Sequence, residues 1–252
     1  MFFCAGRESI LSQLFLDKKY SNMSVYDSDF GKENSVVLET PRLLLRPWQE
    51  ADAAALYKYA SNVKIARDAG WRVHPDETYS KTIIRLMLLR STAFAIIIKD
   101  AIDETVHEVF EKNGSAQNTG RHKAVTLQEG CLRKSFAVEP IGSISIYMGE
   151  SISRGRAADE GDLGYWLGEP FHNRGYMTEA VSAVMAYAFS NLHVSGLWCS
   201  HYPGNEASKA VILKSGFEEH HILEESYNPM LEKKFREVFY YISKVKYQKL
   251  HK

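Results

Sequence analysis

Residues 162–180 read DLGYWLGEPFHNRGYMTEA, and the order of residue types along them decides the fold. Leu163, Tyr165, Trp166 and Leu167 are dense enough in apolar side chains for a strand, and Gly168-Glu169-Pro170 stops it. A helix then opens at Thr178, with Val181, Val184, Met185, Ala188 and Phe189 recurring at helical spacing. Between strand and helix lie His172, Asn173, Arg174, Gly175, Tyr176 and Met177. A turn feeding a helix start aims several backbone N–H groups in one direction at the positive end of the helix dipole. Such a place suits an anion, above all a phosphate or pyrophosphate. Gly175 lets a ligand approach the backbone with no Cβ between them, and Arg174 adds a charge.

The chain has 252 residues, enough for one large domain or one domain with additions, and a hydrophobic fraction of 45% supplies a sizeable core. Basic and acidic residues number 31 each, so no global field favours nucleic acid or an anionic membrane. Cys4, Cys131 and Cys199 are scattered and odd in number, which fits a reducing compartment and neither a disulfide framework nor a zinc site. The opening MFFCAGRESILSQLFLDKK carries charges where a signal peptide needs an unbroken apolar run, and no later stretch reaches spanning length. The expectation is a soluble, cytoplasmic protein. Residues 1–35 read as an N-terminal extension, with one amphipathic helix around Ile10, Leu11, Leu14 and Phe15.

Residues 36–47, VVLETPRLLLRP, read as a first strand whose prolines confine it to an edge or to its ends. Glu50, Ala51 and Asp52 then cap a helix carrying Ala55, Leu56 and Tyr59, with acids at its positive end. Residues 62–75 read as a loop in which Trp71 either contacts substrate or simply pins the chain. A second helix is expected over 76–90, and residues 93–99, AFAIIIK, as a strand. Residues 101–135 form a polar insert with one aromatic, Phe110, expected to be mobile apart from a short helix at 103–112. Strands follow at 141–147 and 197–202, a helix after Asn205, and two closing strands at 217–223 and 238–242. Within 203–217, Asn205 and Ser208 open that helix and Gly216-Phe217 end it with a left-handed cap.

Three of these segments together resemble the GNAT superfamily of N-acetyltransferases, and most closely its ribosomal-protein (RimJ/RimL-type) branch. They are the Thr40-Pro-Arg42-Leu43-Leu44-Leu45-Arg46 strand, the 172–177 loop, and Asn205-x-x-Ser208 followed by a helix and Gly216-Phe217. The family's loop signature runs Gln or Arg, two residues, Gly, one residue, then Gly or Ala. Here Gly175 matches, while His172 and Met177 stand at its two departing ends. The resemblance covers residues 36–245 and implies an α/β fold, an α+β mixed sheet whose two central strands splay into a V-shaped slot. It implies acetyl-CoA as co-substrate and no metal. Tyr165, Trp166 and Leu167 would offer backbone groups to the pantetheine arm as an added strand does. Residues His172 to Thr178 would take the pyrophosphate, Asn205 would contact the pantetheine, and Ser208 would stand near the thioester sulfur.

Attack by a neutral amine on a thioester carbonyl needs a proton acceptor and donors for the forming oxyanion. Asp162 and His201 are the candidate bases; the plainer readings are a solvated strand-end acid and a packed strand residue. His220 and His221 are adjacent on an expected strand, so they should face opposite ways and not chelate one ion. No Walker lysine follows the glycine turn, and there is no Gly-x-Ser-x-Gly elbow. The expected activity is direct acetyl transfer to a primary amine, a protein N-terminus or a small molecule. The alternatives are a non-catalytic CoA-binding module and a CoA-independent phosphate-ligand protein. The expected partners are the amine acceptor and, as an open possibility, a second copy in a homodimer; nucleic acid and membrane are not expected.

Overall fold

The computed structural model describes residues 36–89, 92–101, 114–119, 122–127, 138–148, 156–228 and 230–251. The expected helices at 10–15 and 103–112 lie outside them. The first half holds strands β1 Val36–Glu39 and β2 Leu43–Pro47, then helices α1 Ala53–Ala60, α2 Val63–Ala69 and α3 Glu77–Ile83. Strands β3 Thr92–Ile98, β4 Gly114–Thr119, β5 His122–Leu127 and β6 Gly142–Met148 follow. The second half holds β7 Glu160–Leu167, α4 Tyr176–Ser190, β8 Gly196–His201 and α5 Glu206–Lys214. It closes with β9 Glu218–Asn228, β10 Lys233–Ser243 and α6 Lys244–Leu250. No helix among the described residues is long and apolar enough to cross a membrane.

One sheet runs β4-β5-β1-β2-β3-β6-β7-β8-β10-β9, and every neighbouring pair is antiparallel except β7 with β8. Alternation along β3 shows how both faces are covered. Phe94 and Ile96 join a core with α4 residues Val181, Val184, Met185, Ala188 and Phe189. Ala93 and Ala95 face the other way, into a second core with Leu56, Ala60, Ile83 and Trp48. A strand buried on both faces reads as a continuous apolar run, which is what AFAIII is. Burying each large apolar side chain contributes roughly 1.5–3 kcal/mol, so the α4 stripe alone fixes that helix to the sheet.

Several expected boundaries shift. The expected first strand divides into β1 and β2, and Pro47 sits at the last position of β2, which lies inside the sheet between β1 and β3. The expected 62–75 loop contains α2, because Asn62 caps it by accepting hydrogen bonds from the Lys64 and Ile65 amides. The expected 76–90 helix is α3 followed by a π-turn over Ile84–Leu88. Helix α4 begins at Tyr176, two positions before Thr178. Within the insert expected to be mobile, the described residues 114–119 and 122–127 are the paired strands β4 and β5, and β5 pairs with β1 from Val36↔Thr126 to Glu39↔Lys123. Composition misses this because the stabilising contact is the backbone ladder of β1, which an otherwise polar segment can complete.

Asp52, expected as a helix-end acid, is instead half of a buried ion pair. Arg46, fully buried on β2, donates Nη1 to Asp52 Oδ2 and Nη2 to Oδ1, both at 2.7 Å. Oδ2 also accepts the Gln49 amide at 2.8 Å, so the pair fastens α1 to the sheet. Removing one charge of such a pair strands the other. Asp52→Ala is therefore expected to cost roughly 3–5 kcal/mol, read as a lowered denaturation midpoint with an unchanged slope.

Candidate active site

The parallel β7–β8 pairing is short. It runs Glu160↔Gly196, Gly161↔Leu197, Asp162↔Trp198 and Leu163↔Cys199, and there it stops. Both strands continue, β7 to Leu167 and β8 to His201, so the sheet forks beyond Leu163 and Cys199. The fork opens a cleft of about 1630 Å³. Asp162, Tyr165, Trp166, Leu167, His201, Asn205 and Ser208 all line it, as do the loop residues His172, Asn173, Gly175, Tyr176, Met177 and Thr178. Arg174 and Trp71 are not in its wall. Arg174 is exposed at the loop's outer side. Trp71 packs edge-on against Trp166, ring centroids 5.9 Å apart, so it supports the wall from behind. Its indole N–H is buried without a hydrogen-bond partner.

Gly175 is the N-cap of α4 with φ +78°, where a side chain is strained. A Cβ there would stand 3.3 Å from Arg42 Nη2. No side chain caps the helix, and its first i→i−4 bond is Glu179 N to Gly175 O, so the Tyr176, Met177 and Thr178 amides precede it. These residues fit a diphosphate. His172 explains its departure from the usual loop residue: its Nε2 donates to the Leu167 carbonyl at 2.8 Å, tying the loop to the end of β7. Met177 is buried in the core beneath the loop.

The loop is also gripped from outside, by residues not assigned a role from sequence. Glu179 Oε1 accepts the Thr40 hydroxyl at 2.6 Å and the Arg42 amide at 2.9 Å, and Oε2 accepts Arg42 Nε at 2.7 Å. Arg42 Nη1 donates to the Arg174 carbonyl at 2.9 Å, and its guanidinium lies 4.7 Å from the Tyr176 ring centre. The Thr-Pro-Arg phrase between β1 and β2 is thus a clasp on the start of α4.

Across the fork, Tyr165 and Ser208 meet hydroxyl to hydroxyl at 3.0 Å. Burial, with a smaller contribution from Cys199, pushes the Tyr165 phenol well above its usual range, so it remains protonated. Burial likewise holds the Cys199 thiol protonated and far from nucleophilic. Asn205 caps α5 by accepting the Ser208 amide at 3.0 Å, and donates to the Asp68 carbonyl at 3.2 Å.

The two candidate bases differ in surroundings. His201 Nδ1 meets the Tyr202 carbonyl at 2.9 Å and Nε2 meets the Tyr240 hydroxyl at 3.2 Å. A carbonyl only accepts, so Nδ1 carries the hydrogen and Nε2 accepts from Tyr240. Both nitrogens are engaged within the protein. Asp162 lies on the closed side of the fork, its Oδ2 3.7 Å from Arg156 Nη1. The His220–His221 expectation is corrected. Their Nδ1 atoms lie 3.0 Å apart, because a register shift between Phe239 and Tyr240 makes a bulge at His220 that breaks the alternation. Among the described residues, no three His, Cys, Asp or Glu side chains gather as a metal site.

The acetyltransferase (GNAT) domain family matches residues 42–218, well over half of the sequence. This chain belongs to the GNAT acetyltransferase family. The N-acetyltransferase YoaA of Bacillus subtilis is 26% identical over 187 residues, 74% of this chain and 85% of that protein. YdaF of the same organism, which carries the name ribosomal N-acetyltransferase, is 31% identical over 76 residues, 30% of this chain and 39% of that one. Among solved structures, the microcin C7 self-immunity acetyltransferase MccE, in complex with acetyl-CoA and AMP, shares the fold. Its TM-score is 0.54 at 14% identity, over 81% of this chain and 93% of that one. This GNAT chain is an N-acetyltransferase.

The clasp makes a pH prediction. Burial alone would raise the Glu179 carboxyl, but the Thr40 and Arg42 hydrogen bonds outweigh it and hold the group below its usual range. A depressed folded pKa contributes stability that is present above the unfolded value of about 4.3 and lost as pH falls through the folded one. The stability gap between the native protein and Glu179→Gln is therefore expected to be full at pH 7 and to close in acid, measured by urea unfolding across pH 2.5–7.

Proposed function

We propose that this chain transfers an acetyl group from acetyl-CoA directly to a primary amine, with a protein N-terminus as the acceptor. The observation that carries the reading is the fork itself. Beyond Leu163 the backbone of β7 has no strand beside it on the β8 side, and the start of α4 lies at the far end of the same cleft. A pantetheine arm laid along residues 164–167 pairs with that backbone as an added strand, and its diphosphate reaches the 172–178 loop. Acetyl-CoA in the related MccE fold supports the choice of acyl donor. The ribosomal name of YdaF supports a protein acceptor over a small amine.

The arrangement supplies chemistry at two points. Backbone amides along the open edge of β7 are donors for the oxyanion that forms as the amine adds to the thioester carbonyl. Ser208, backed by the protonated Tyr165, donates to the sulfur as the C–S bond breaks. Asn205 and Asp68 hold α5, and with it Ser208, at the fork.

Gly175→Val puts a branched side chain into a left-handed backbone position beside the diphosphate site. Calorimetry with acetyl-CoA is expected to show affinity reduced at least tenfold while circular dichroism stays native; unchanged affinity in a folded variant would refute the loop assignment. Ser208→Ala is expected to keep acetyl-CoA affinity and to lower turnover by about 1–3 kcal/mol of barrier, measured by thiol release with an amine panel.

A further inference from the structure

His220 and His221 stand side by side on β9, neither of them lining the cleft, and their Nδ1 atoms are 3.0 Å apart. On a regular strand, adjacent side chains leave opposite faces. The bulge undoes that here. Phe239 pairs with His221 while the next residue, Tyr240, pairs with Glu219, so His220 is the extra residue and its ring comes round to its neighbour's. Aromatic rings hold the pair from both sides. Phe239 stacks flat on His221, centroids 4.7 Å apart and planes 3° from parallel, and Trp198 meets His220 edge-on at 4.7 Å. Tyr241 packs behind them, 4.7 Å from Trp198 and 6.1 Å from His220.

An Nδ1-to-Nδ1 contact is a hydrogen bond only when one nitrogen carries the hydrogen and the other offers a lone pair. Protonating both rings sets two N–H groups against each other. Burial, and then the His220 ring, hold His221 below the usual imidazole value. Glu237, the β10 carboxylate that accepts the Ser200 and Ser226 hydroxyls, pulls the other way and is outweighed. His221 is thus neutral at pH 7, the form in which imidazole binds metals. The separation also selects a geometry. A metal–imidazole bond is about 2.0–2.1 Å, so an ion held by two nitrogens 3.0 Å apart subtends about 95° between them. A tetrahedral ion wants them about 3.3–3.4 Å apart. Two nitrogens in cis at a right angle suit tetragonal coordination, the preference of copper(II) and nickel(II), and of the two copper(II) binds nitrogen ligands more tightly.

We propose that His220 and His221 form a two-imidazole chelate for a tetragonal divalent cation, copper(II) above all, at the bulge of β9. The site is independent of the transferase reading, because neither ring lines the cleft. The shared Nδ1 hydrogen passes to water and the same ring takes a proton at Nε2, so both rings bind as neutral imidazoles and no proton is released overall. Each ring tilts until the two Nδ1 lone pairs meet at the ion in place of facing each other. Water completes the coordination on the solvent side, where His220 is exposed. The Phe239 and Trp198 contacts restrict the rings beforehand, so less freedom is lost on binding.

The test titrates the full chain with copper(II) chloride, and separately with zinc chloride, in a buffer that does not bind metal. Trp198, whose ring lies 4.7 Å from that of His220 and 5.8 Å from that of His221, is the built-in reporter, since bound copper(II) quenches a nearby indole. Tryptophan fluorescence is expected to fall saturably at one equivalent of copper(II). Electron paramagnetic resonance of the loaded protein is expected to show a tetragonal copper(II) with splitting from two imidazole nitrogens, and zinc is expected to bind at least tenfold more weakly. His220→Asn and His221→Asn are each expected to keep native circular dichroism and to weaken the quenching equivalent tenfold or more. Native copper affinity in either folded variant would place the ion elsewhere and overturn the proposal. Absence of saturable quenching, a spectrum with fewer than two imidazole ligands, or zinc binding as tight as copper would overturn it too. Should one variant not fold, the other variant and the resonance spectrum of the unsubstituted protein decide.

Discussion

The structure turns on a parallel strand pair that stops early. Four residue pairs join β7 to β8, and beyond Leu163 and Cys199 the two strands part. A sheet otherwise closed by antiparallel ladders thus has one opened seam, and the unsatisfied backbone edge of β7 faces into it. In water such an edge is a liability. Here the loop before α4 and the start of α5 with Ser208 border it, and an extended, amide-bearing ligand is the kind such an edge pairs with. The 172–178 loop and the Asn205–Ser208 segment both line this seam.

Two sets of contacts hold it. The Thr40–Arg42–Glu179 clasp fixes the start of α4 from the β1–β2 turn, and the His172 bond to the Leu167 carbonyl fixes the loop from within. On the opposite wall, Asn205 joins α5 to the last turn of α2. The buried Arg46–Asp52 pair holds α1 to the sheet, and the Trp166–Trp71 contact backs the cleft wall. Along β7 the two faces divide by strand alternation, Tyr165 facing Ser208 and Trp166 facing Trp71.

Much of this was legible in the chain. The α4 stripe, Gly175 and the Asn205–Ser208 helix start carry their meaning in local order, because spacing and backbone permissiveness are local properties. The Glu237–Ser200–Ser226 cluster was not, since a single acid in REVFYY has no local signature and its partners sit on two other strands. The clasp was visible only as a habitual Thr-Pro-Arg phrase, because Glu179 lies far along the chain from Thr40. The His220 bulge defeated strict alternation, and β5 pairs with β1, a strand far from it in the sequence. In each case the missing information was a non-local contact, and a pattern read along one segment cannot contain it.

The central claim is that acetyl-CoA lies along the open edge of β7 with its diphosphate at the start of α4. Amide hydrogen exchange of the full chain, with and without acetyl-CoA, reads that directly. The account predicts slowed exchange concentrated in residues 164–167 and 176–178, with the amides of β3 and β6 unchanged. Protection that misses both segments, or no change at saturating acetyl-CoA, would contradict it.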